Sequence, residues 1–322
     1  MSSRKIKRLG IFGAGAFGTA LALSYATECE VSLFTGFDEH VDAMKRDRKN
    51  EFLNQFEIPS NIMIDNISNI SSYNFDYIFW CFPVKPSISI LKTISVYIKS
   101  PMVICSKGLL EDGTFLFDAF QRELPNISIG YLSGPNFAMD LASHQMSCAD
   151  IGFLKMSEAE VFASELSNAS FKLFPTDDVI GMQIAGAVKN VIAIACGIAK
   201  GLDLGQDTIA ALLTLGLHEM KNLGVKFGGS AKTFDSFSGI GDLFLTASSE
   251  TSRNTSFGKK IASGESMSSI LSSSNAVCEG CNTVSQIVAI AKEKGVKMPI
   301  CEAVYAILFG ASSPEFILNV FN

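Results

Sequence analysis

The first half of the chain alternates short apolar runs with longer stretches whose apolar positions recur every three or four residues. A parallel sheet covered by helices reads this way, because each crossover between parallel strands needs a helix-length connection. The apolar runs predict strands at residues 9–12, 30–34, 77–82, 102–105, 127–132, 149–153 and 171–174, and Pro83 closes the third abruptly. The segments between them predict helices at 16–27, 39–49, 87–98, 114–123 and 158–167. After Pro175 strand-like alternation gives way to helical spacing, with Asp177 or Asp178 placed to cap the first helix. Helices are predicted at 179–200, 207–227, 237–248, 254–262, 283–294 and 300–308, and the Ser-rich stretch 266–274 is read as a loop with a helical turn. The pattern thus predicts an α/β, Rossmann-like N-terminal domain with a mostly parallel sheet over 1–178, followed by an all-α domain over 179–322.

Composition narrows the chemistry. The 322 residues are 48% hydrophobic, enough for two cores. A net charge of -6 argues against broad attachment to nucleic acid or to an anionic membrane, both of which need a basic surface, so any phosphate must be captured locally. The eight cysteines are irregularly spaced and several lie inside apolar runs, so they read as reduced thiols of a cytoplasmic protein. Cys278 and Cys281 have CxxC spacing, but no second pair or neighbouring histidine completes a zinc site, and no metal is expected.

Two segments imitate membrane signals. Residues 4–26 run from Arg4, Lys5, Lys7 and Arg8 into an apolar stretch, yet Gly13, Gly15 and Gly18 fit a strand–turn–helix better than a signal peptide. Residues 180–199 have the length of a membrane span but carry Lys189 near the middle, at a cost of roughly 3 kcal/mol on insertion scales. A buried helix, without stable membrane insertion, is expected.

Gly13-Ala14-Gly15-Ala16-Phe17-Gly18 follows an apolar strand and opens an Ala- and Leu-rich helix, the context in which GxGxxG binds a dinucleotide, NAD or NADP. Gly13 would permit a tight turn, Gly15 the approach of a pyrophosphate, and Gly18 close packing of helix on sheet, while the helix N-terminus offers N–H groups to phosphate. A plain tight turn between packed elements is the bland alternative. The second strand ends at Phe34-Thr35-Gly36-Phe37 with neither an acid for the ribose hydroxyls nor an arginine for a 2′-phosphate. Asp38 comes late and is better placed as a helix cap, and Lys45, Arg46 and Arg48 read either as phosphate ligands or as an exposed helix face. The choice between NAD and NADP stays open.

Seven segments then occur in one order: Gly13 to Ala22, Ser106-Lys107-Gly108-Leu109, Ser133-Gly134-Pro135-Asn136-Phe137-Ala138, Ala187-Val188-Lys189-Asn190-Val191, Gly239-Ile240-Gly241-Asp242-Leu243, Ser252-Arg253-Asn254 and Val277-Cys278-Glu279-Gly280. In order and spacing they resemble the bacterial NAD(P)-dependent glycerol-3-phosphate dehydrogenases. The resemblance implies interconversion of sn-glycerol 3-phosphate and dihydroxyacetone phosphate, feeding glycerophospholipid synthesis, by a homodimer. The residues themselves make chemical sense. Removing hydride from a secondary alcohol needs a base for the hydroxyl proton, and a desolvated lysine can serve. Lys189 sits among Ala185, Gly186, Val188 and Ile192, although a lysine snorkelling from a packed helix would look the same. The resemblance assigns Lys189 as proton acceptor. It places Lys107 against substrate and cofactor, where a solvated loop lysine is the bland reading, and Asp242 at the substrate, where an N-cap is the bland reading. It implies a phosphate grip at Ser252, Arg253 and Asn254, which could otherwise be a helix cap with a surface arginine. Gly134 and Asn136 would touch substrate; Ala16, Phe17, Ala138, Arg253, Val277 and Glu279 would join Gly13, Gly15 and Gly18 around the cofactor.

The chain departs from the family pattern in places. Asn136 stands where a Thr or Ser is typical, Ala16 and Phe17 replace a more polar or larger aromatic pair, and Thr35-Gly36-Phe37 lacks the basic or histidine residue often found there. A 3-hydroxyacid dehydrogenase or ketopantoate reductase is the nearest competing enzyme. Those carry Lys and Asn four residues apart on the catalytic helix, whereas position 193 here is alanine and Asn190 adjoins Lys189. A nucleotide-sensing module without turnover would not need Lys107, Lys189, Asp242 and Arg253 together.

Overall fold

The structure, a computed structural model, describes residues 7–273 and 278–322. It divides into two compact units. The first takes in the chain up to Ser106, Leu116–Leu132 and Asn136–Asp177; the second takes in Lys107–Phe115, Ser133–Pro135 and Asp178–Asn322. Besides the run from Asp178, the second unit thus contains two short stretches from earlier in the chain, 107–115 and 133–135.

The strands are β1 (Lys7–Phe12), β2 (Cys29–Thr35), β3 (Met63–Asn66), β4 (Tyr77–Trp80), β5 (Met102–Ile104), β6 (Ile129–Ser133), β7 (Ser147–Phe153) and β8 (Phe171–Thr176), all within the first unit but for Ser133. They form one sheet in the order β3-β2-β1-β4-β5-β6-β7-β8. The pairs β3–β2, β2–β1, β1–β4, β4–β5, β5–β6 and β7–β8 are parallel. Helices α1 (Ala16–Tyr25), α2 (Asp38–Asp47), α3 (Val84–Ile94), α4 (Leu116–Glu123), α5 (Ala138–Ala142) and α6 (Met156–Leu166) supply the connections. Because β1 lies between β2 and β4, the chain winds to one side of it and then to the other, and the crevice at its carboxyl end is where such sheets collect ligands. Leu9, Ile11, Leu33, Phe79 and Val103 are fully buried along the middle strands, and Trp80 packs edge-on against Phe120 with ring centroids 4.9 Å apart. Strand β3 and helix α5 were not among the expected elements.

The second unit is helical: α7 (Val179–Gly201), α8 (Gly205–Lys226), α9 (Asp242–Ser248), α10 (Arg253–Ala262), α11 (Met267–Ser273), α12 (Glu279–Lys294) and α13 (Pro299–Phe309). Asp178 caps α7 by accepting the Gly181 N–H at 2.9 Å. Small residues let α7 sit at the centre. A β-carbon on Gly197 would stand 2.2 Å from the Thr255 carbonyl oxygen, and one on Gly258 would stand 2.2 Å from that of Ile194, so α7 and α10 touch backbone to backbone. Among the described residues α7 is the one helix long and apolar enough to cross a membrane, and 94% of its most apolar window is buried inside the protein. That is the buried helix expected from its central lysine.

A buried carboxylate ends this core. Glu219 on α8 is 6% exposed and accepts the Ile300 N–H at 2.6 Å and the Cys301 N–H at 3.4 Å, capping the first turn of α13. Burial pushes its carboxyl up from 4.5 to about 7, against the pull of the two amides. Between these values the folded protein keeps a proton that the unfolded chain has released, so this contribution to stability is complete below pH 4.5 and is lost as pH rises through 7. Glu219→Gln keeps a carbonyl acceptor but never ionises. Urea denaturation at pH 5 and pH 8 should show the wild type losing up to about 3 kcal/mol more than the variant between the two; equal losses would contradict the assignment.

Candidate active site

At the carboxyl end of β1 the chain turns through Gly13-Ala14-Gly15 into α1. Gly13 has φ +115°, and a β-carbon there would lie 2.5 Å from the Cys81 carbonyl carbon. One on Gly18 would lie 2.0 Å from the Gly13 oxygen, so both glycines are demanded by the turn itself. Gly15 differs: a β-carbon there would meet nothing within 4 Å. The packing of the fold therefore does not require that glycine. No side chain caps α1, and its first amides, among them Ala16, Phe17 and Gly18, have no acceptor inside the helix. These residues fit a dinucleotide, whose pyrophosphate the 13–18 backbone would hold.

The end of β2 is tied to this turn by polar side chains. Thr35 Oγ1 and His40 Nδ1 are 3.2 Å apart, His40 Nε2 and Asn50 Oδ1 are 3.3 Å apart, and Asn50 Nδ2 donates to the Ala14 carbonyl at 2.9 Å. Asp38 is not a cap: it lies inside the first turn of α2, behind Phe37, and accepts from Asn66 Nδ2 at 2.6 Å. Arg46 forks onto Asp47 at 2.8 Å, and Arg48 is spent on the carbonyls of Ile58, Pro59 and Ile62.

In the second unit one carboxylate gathers two amines. Lys189, in the middle of α7, and Lys107, which follows β5 by three residues, both donate to Asp242, at Oδ1 and Oδ2 respectively. Ser133 Oγ adds a donor to Oδ2 at 3.3 Å. Thr246 Oγ1 accepts from Lys189 at 2.8 Å and passes its own hydrogen to Asp242 Oδ1 at 3.3 Å. Asp242 is 2% and Lys189 6% exposed, which removes the snorkelling reading of the lysine. Local geometry explains the carboxylate's position. The helix expected over 237–248 is broken at Gly239, whose backbone leaves helical geometry (φ -88°, ψ -105°) and lies so close to Phe234 that a β-carbon would stand 2.3 Å from the Phe234 oxygen. A short π-turn, Phe237–Gly241, replaces its first half, and Asp242 becomes the first residue of α9, aimed inward rather than capping the helix.

Charge balance sets the protonation. Burial pushes the Lys189 amine down, Asp242 pulls it back and Lys107 pushes it down again, for a net fall from 10.5 to about 8. Burial would raise the Asp242 carboxyl, but Lys107 and Lys189 outweigh it and hold it below the ordinary carboxylate range. The cluster therefore pairs a permanent anion with an amine that can exchange a proton near neutrality.

Beside Lys189, Asn190 opens a second network. Its Nδ2 donates to Glu279 Oε2 at 3.2 Å, and its Oδ1 accepts from Asn254 Nδ2 at 2.9 Å. Asn254 Oδ1 in turn accepts the Gly280 N–H at 3.1 Å and the Cys278 thiol at 3.4 Å. A β-carbon on Gly280 would lie 2.8 Å from the Asn190 carbonyl oxygen, so glycine there lets the start of α12 reach α7.

Models of the N-terminal and C-terminal parts of NAD-dependent glycerol-3-phosphate dehydrogenase match residues 8–159 and 178–319. The chain belongs to the glycerol-3-phosphate dehydrogenase family. It is similar to the glycerol-3-phosphate dehydrogenase [NAD(P)+] of Hyphomonas neptunium, at 36% identity over 96% of this chain and 93% of that protein. It is also similar to that of Ruthia magnifica, at 35% over 97% and 96%. The crystal structure of glycerol-3-phosphate dehydrogenase from Coxiella burnetii superposes with a TM-score of 0.92 at 27% identity, covering 98% of this chain and 99% of that one.

Other residues expected for a glycerol-3-phosphate dehydrogenase site are dispersed. Gly134 is buried and adjoins Ser133, within the helical unit. Asn136 and Ala138 belong to the sheet unit; Asn136 Nδ2 donates to the Cys148 carbonyl at 2.9 Å, and Ala138 opens α5. The stretch Ser252-Arg253-Asn254 separates into three parts. Ser252 caps α10 by accepting the Thr255 N–H at 3.4 Å, Arg253 is exposed, and Asn254 turns inward with its amide used by Asn190, Gly280 and Cys278. Val277 lies outside the described residues. Sequence reasoning missed Ser133 and Thr246. Thr246 follows Asp242 by four residues, one helical turn on the same face, and that spacing could have revealed it.

Proposed function

We propose that the chain interconverts sn-glycerol 3-phosphate and dihydroxyacetone phosphate, with Lys189 as the group that exchanges the hydroxyl proton. The observation that carries this reading is the Lys189 amine, buried, fixed by Asp242 and Thr246, and lowered to about 8. A bound nicotinamide dinucleotide supplies or accepts the hydride. In the oxidative direction neutral Lys189 takes the hydroxyl proton as the carbinol becomes a carbonyl; in the reductive direction its ammonium returns that proton to the carbonyl oxygen. At pH 7 roughly a tenth of the amine is neutral. Asp242 orients the amine and steadies its ammonium, while Lys107 keeps the amine from being held too tightly in the charged form. Asn190, Asn254 and Glu279 fix the neighbouring wall.

Arg253 is the substrate's phosphate ligand in this reading. Its exposed guanidinium stands at the first residue of α10, where fork and helix dipole act together, and no hydrogen bond to it is found among the described residues. Arg253→Ala should raise KM for dihydroxyacetone phosphate by about 10- to 100-fold, from a charge-assisted contact of about 1.5–3 kcal/mol, and leave the weak rate on unphosphorylated dihydroxyacetone unchanged. An unaltered KM would remove Arg253 from the phosphate site. Oxidation of NADH and NADPH by dihydroxyacetone phosphate, with dihydroxyacetone as control, tests the whole reading: phosphate-independent turnover would contradict it. NADH is the expected partner, because Glu39 stands exposed just past β2 while both nearby arginines are already engaged. We further propose a cytoplasmic homodimer, a reading supported by the eight free thiols and by exposed Phe309, Phe316 and Phe321 near the end of the helical unit.

A further inference from the structure

Cys281 has no part in the networks above and Cys278 only donates to Asn254, yet the two are placed for chemistry of their own. Cys278 is the N-cap residue of the 16-residue helix α12, and Cys281 lies in that helix's first turn. The Cys281 thiol donates to the Cys278 sulfur across 2.7 Å. Among the described residues no third His, Cys, Asp or Glu joins them. The helix N-terminus favours a thiolate at Cys278, and so does the thiol hydrogen bond from Cys281, which lowers its pKa despite burial. Cys281 shifts the opposite way, first because its proton is the one shared with Cys278. One thiol is thus poised as nucleophile and its neighbour as the resolving group.

We infer that Cys278 and Cys281 form a dithiol–disulfide couple, a site of reversible oxidation by peroxide whose closure alters the adjoining Asn254–Asn190–Glu279 network. The Cys278 thiolate attacks one oxygen of hydrogen peroxide, forming the S–O bond of a sulfenic acid as the O–O bond breaks; with the proton released on ionisation, the leaving oxygen departs as water. The Cys281 sulfur then attacks the sulfenic sulfur, the S–O bond breaks, and the hydroxyl leaves as a second water with the Cys281 proton. Two thiols and one peroxide give one disulfide and two waters. A small oxidant suits thiols exposed by only 6% and 4%. The consequence for the site follows from connectivity. Glu279 lies inside the ring that the disulfide closes, and the Cys278 hydrogen that Asn254 Oδ1 accepts is consumed.

The test treats the purified full chain with hydrogen peroxide and maps cysteines by peptide mass. A peptide carrying a 278–281 disulfide, two hydrogens lighter, should form at least tenfold faster than oxidised products at the half-exposed Cys29 and Cys148, and dithiothreitol should reverse it. In parallel kcat/KM for dihydroxyacetone phosphate should fall about tenfold and recover with reductant, whereas Cys281→Ala should keep its turnover and lose this reversible response. The activity readout rests on the dehydrogenase reading, but the linked peptide does not, so the two can fail separately. Absence of the linked peptide, or a reversible loss of equal size in Cys281→Ala, would overturn the inference.

Discussion

Lys189→Ala should lower turnover of dihydroxyacetone phosphate by about 10²- to 10⁴-fold, the usual worth of a positioned acid–base group, while NADH binds with unchanged affinity. Burial brings the pKa of this amine down to about 8, and its protonated form is the donor to Asp242 and Thr246. The glycine turn that would hold the dinucleotide belongs to the other unit of the chain, so its backbone amides are untouched by the substitution. Steady-state kinetics together with a fluorescence titration of NADH separate the two effects. Lys189→Met, which fills the volume without the charge, guards against a packing artefact. Wild-type rates in either variant would end the proton-acceptor role.

Asp242→Ala should cost more in stability than any other single change in the site. The carboxylate is 2% exposed and neutralises two amines at once. Breaking a buried pair leaves the surviving charge unsolvated, at about 3–5 kcal/mol, and here two ammonium groups are left facing each other. The same loss removes the attraction that pulls Lys189 back up, so its pKa should fall below 8 and the residual rate of glycerol 3-phosphate oxidation should reach its plateau at lower pH. Urea denaturation and a pH–rate profile of the variant measure both. Unchanged stability with an unchanged profile would show that Asp242 does not organise the amines.

Much of this was legible in the residues, and the exceptions have physical reasons. Alternation of apolar runs and helical stretches was enough to read the doubly wound sheet, because most of its strands bury continuous apolar side chains. Strand β3 escaped because it is a four-residue edge strand in which Met63 is 56% exposed, Ile64 is its one buried apolar residue and the last two positions are the polar Asp65 and Asn66. The stretch 237–248 reads as one helix because Phe237, Ile240, Phe244 and Ala247 keep helical spacing. What breaks it is a backbone contact at Gly239, which periodicity does not encode. Likewise Asp242 looks like a cap by local rules, and its true partners lie 135 and 53 residues away, at Lys107 and Lys189. The turn formed by the glycine fingerprint, by contrast, was legible, since it lies within six consecutive residues. The Ser252-Arg253-Asn254 stretch was legible as a unit but not in its division of labour, because only burial tells that Asn254 faces inward and Arg253 outward.

The proton-exchange claim is tested most directly by the pH dependence of kcat/KM in both directions on the same enzyme. If Lys189 is the exchanging group, oxidation of glycerol 3-phosphate rises with pH to a plateau and reduction of dihydroxyacetone phosphate falls, with a shared inflection near 8. Flat profiles in both directions between pH 6.5 and 9.5, or an inflection that survives in Lys189→Ala, would contradict it.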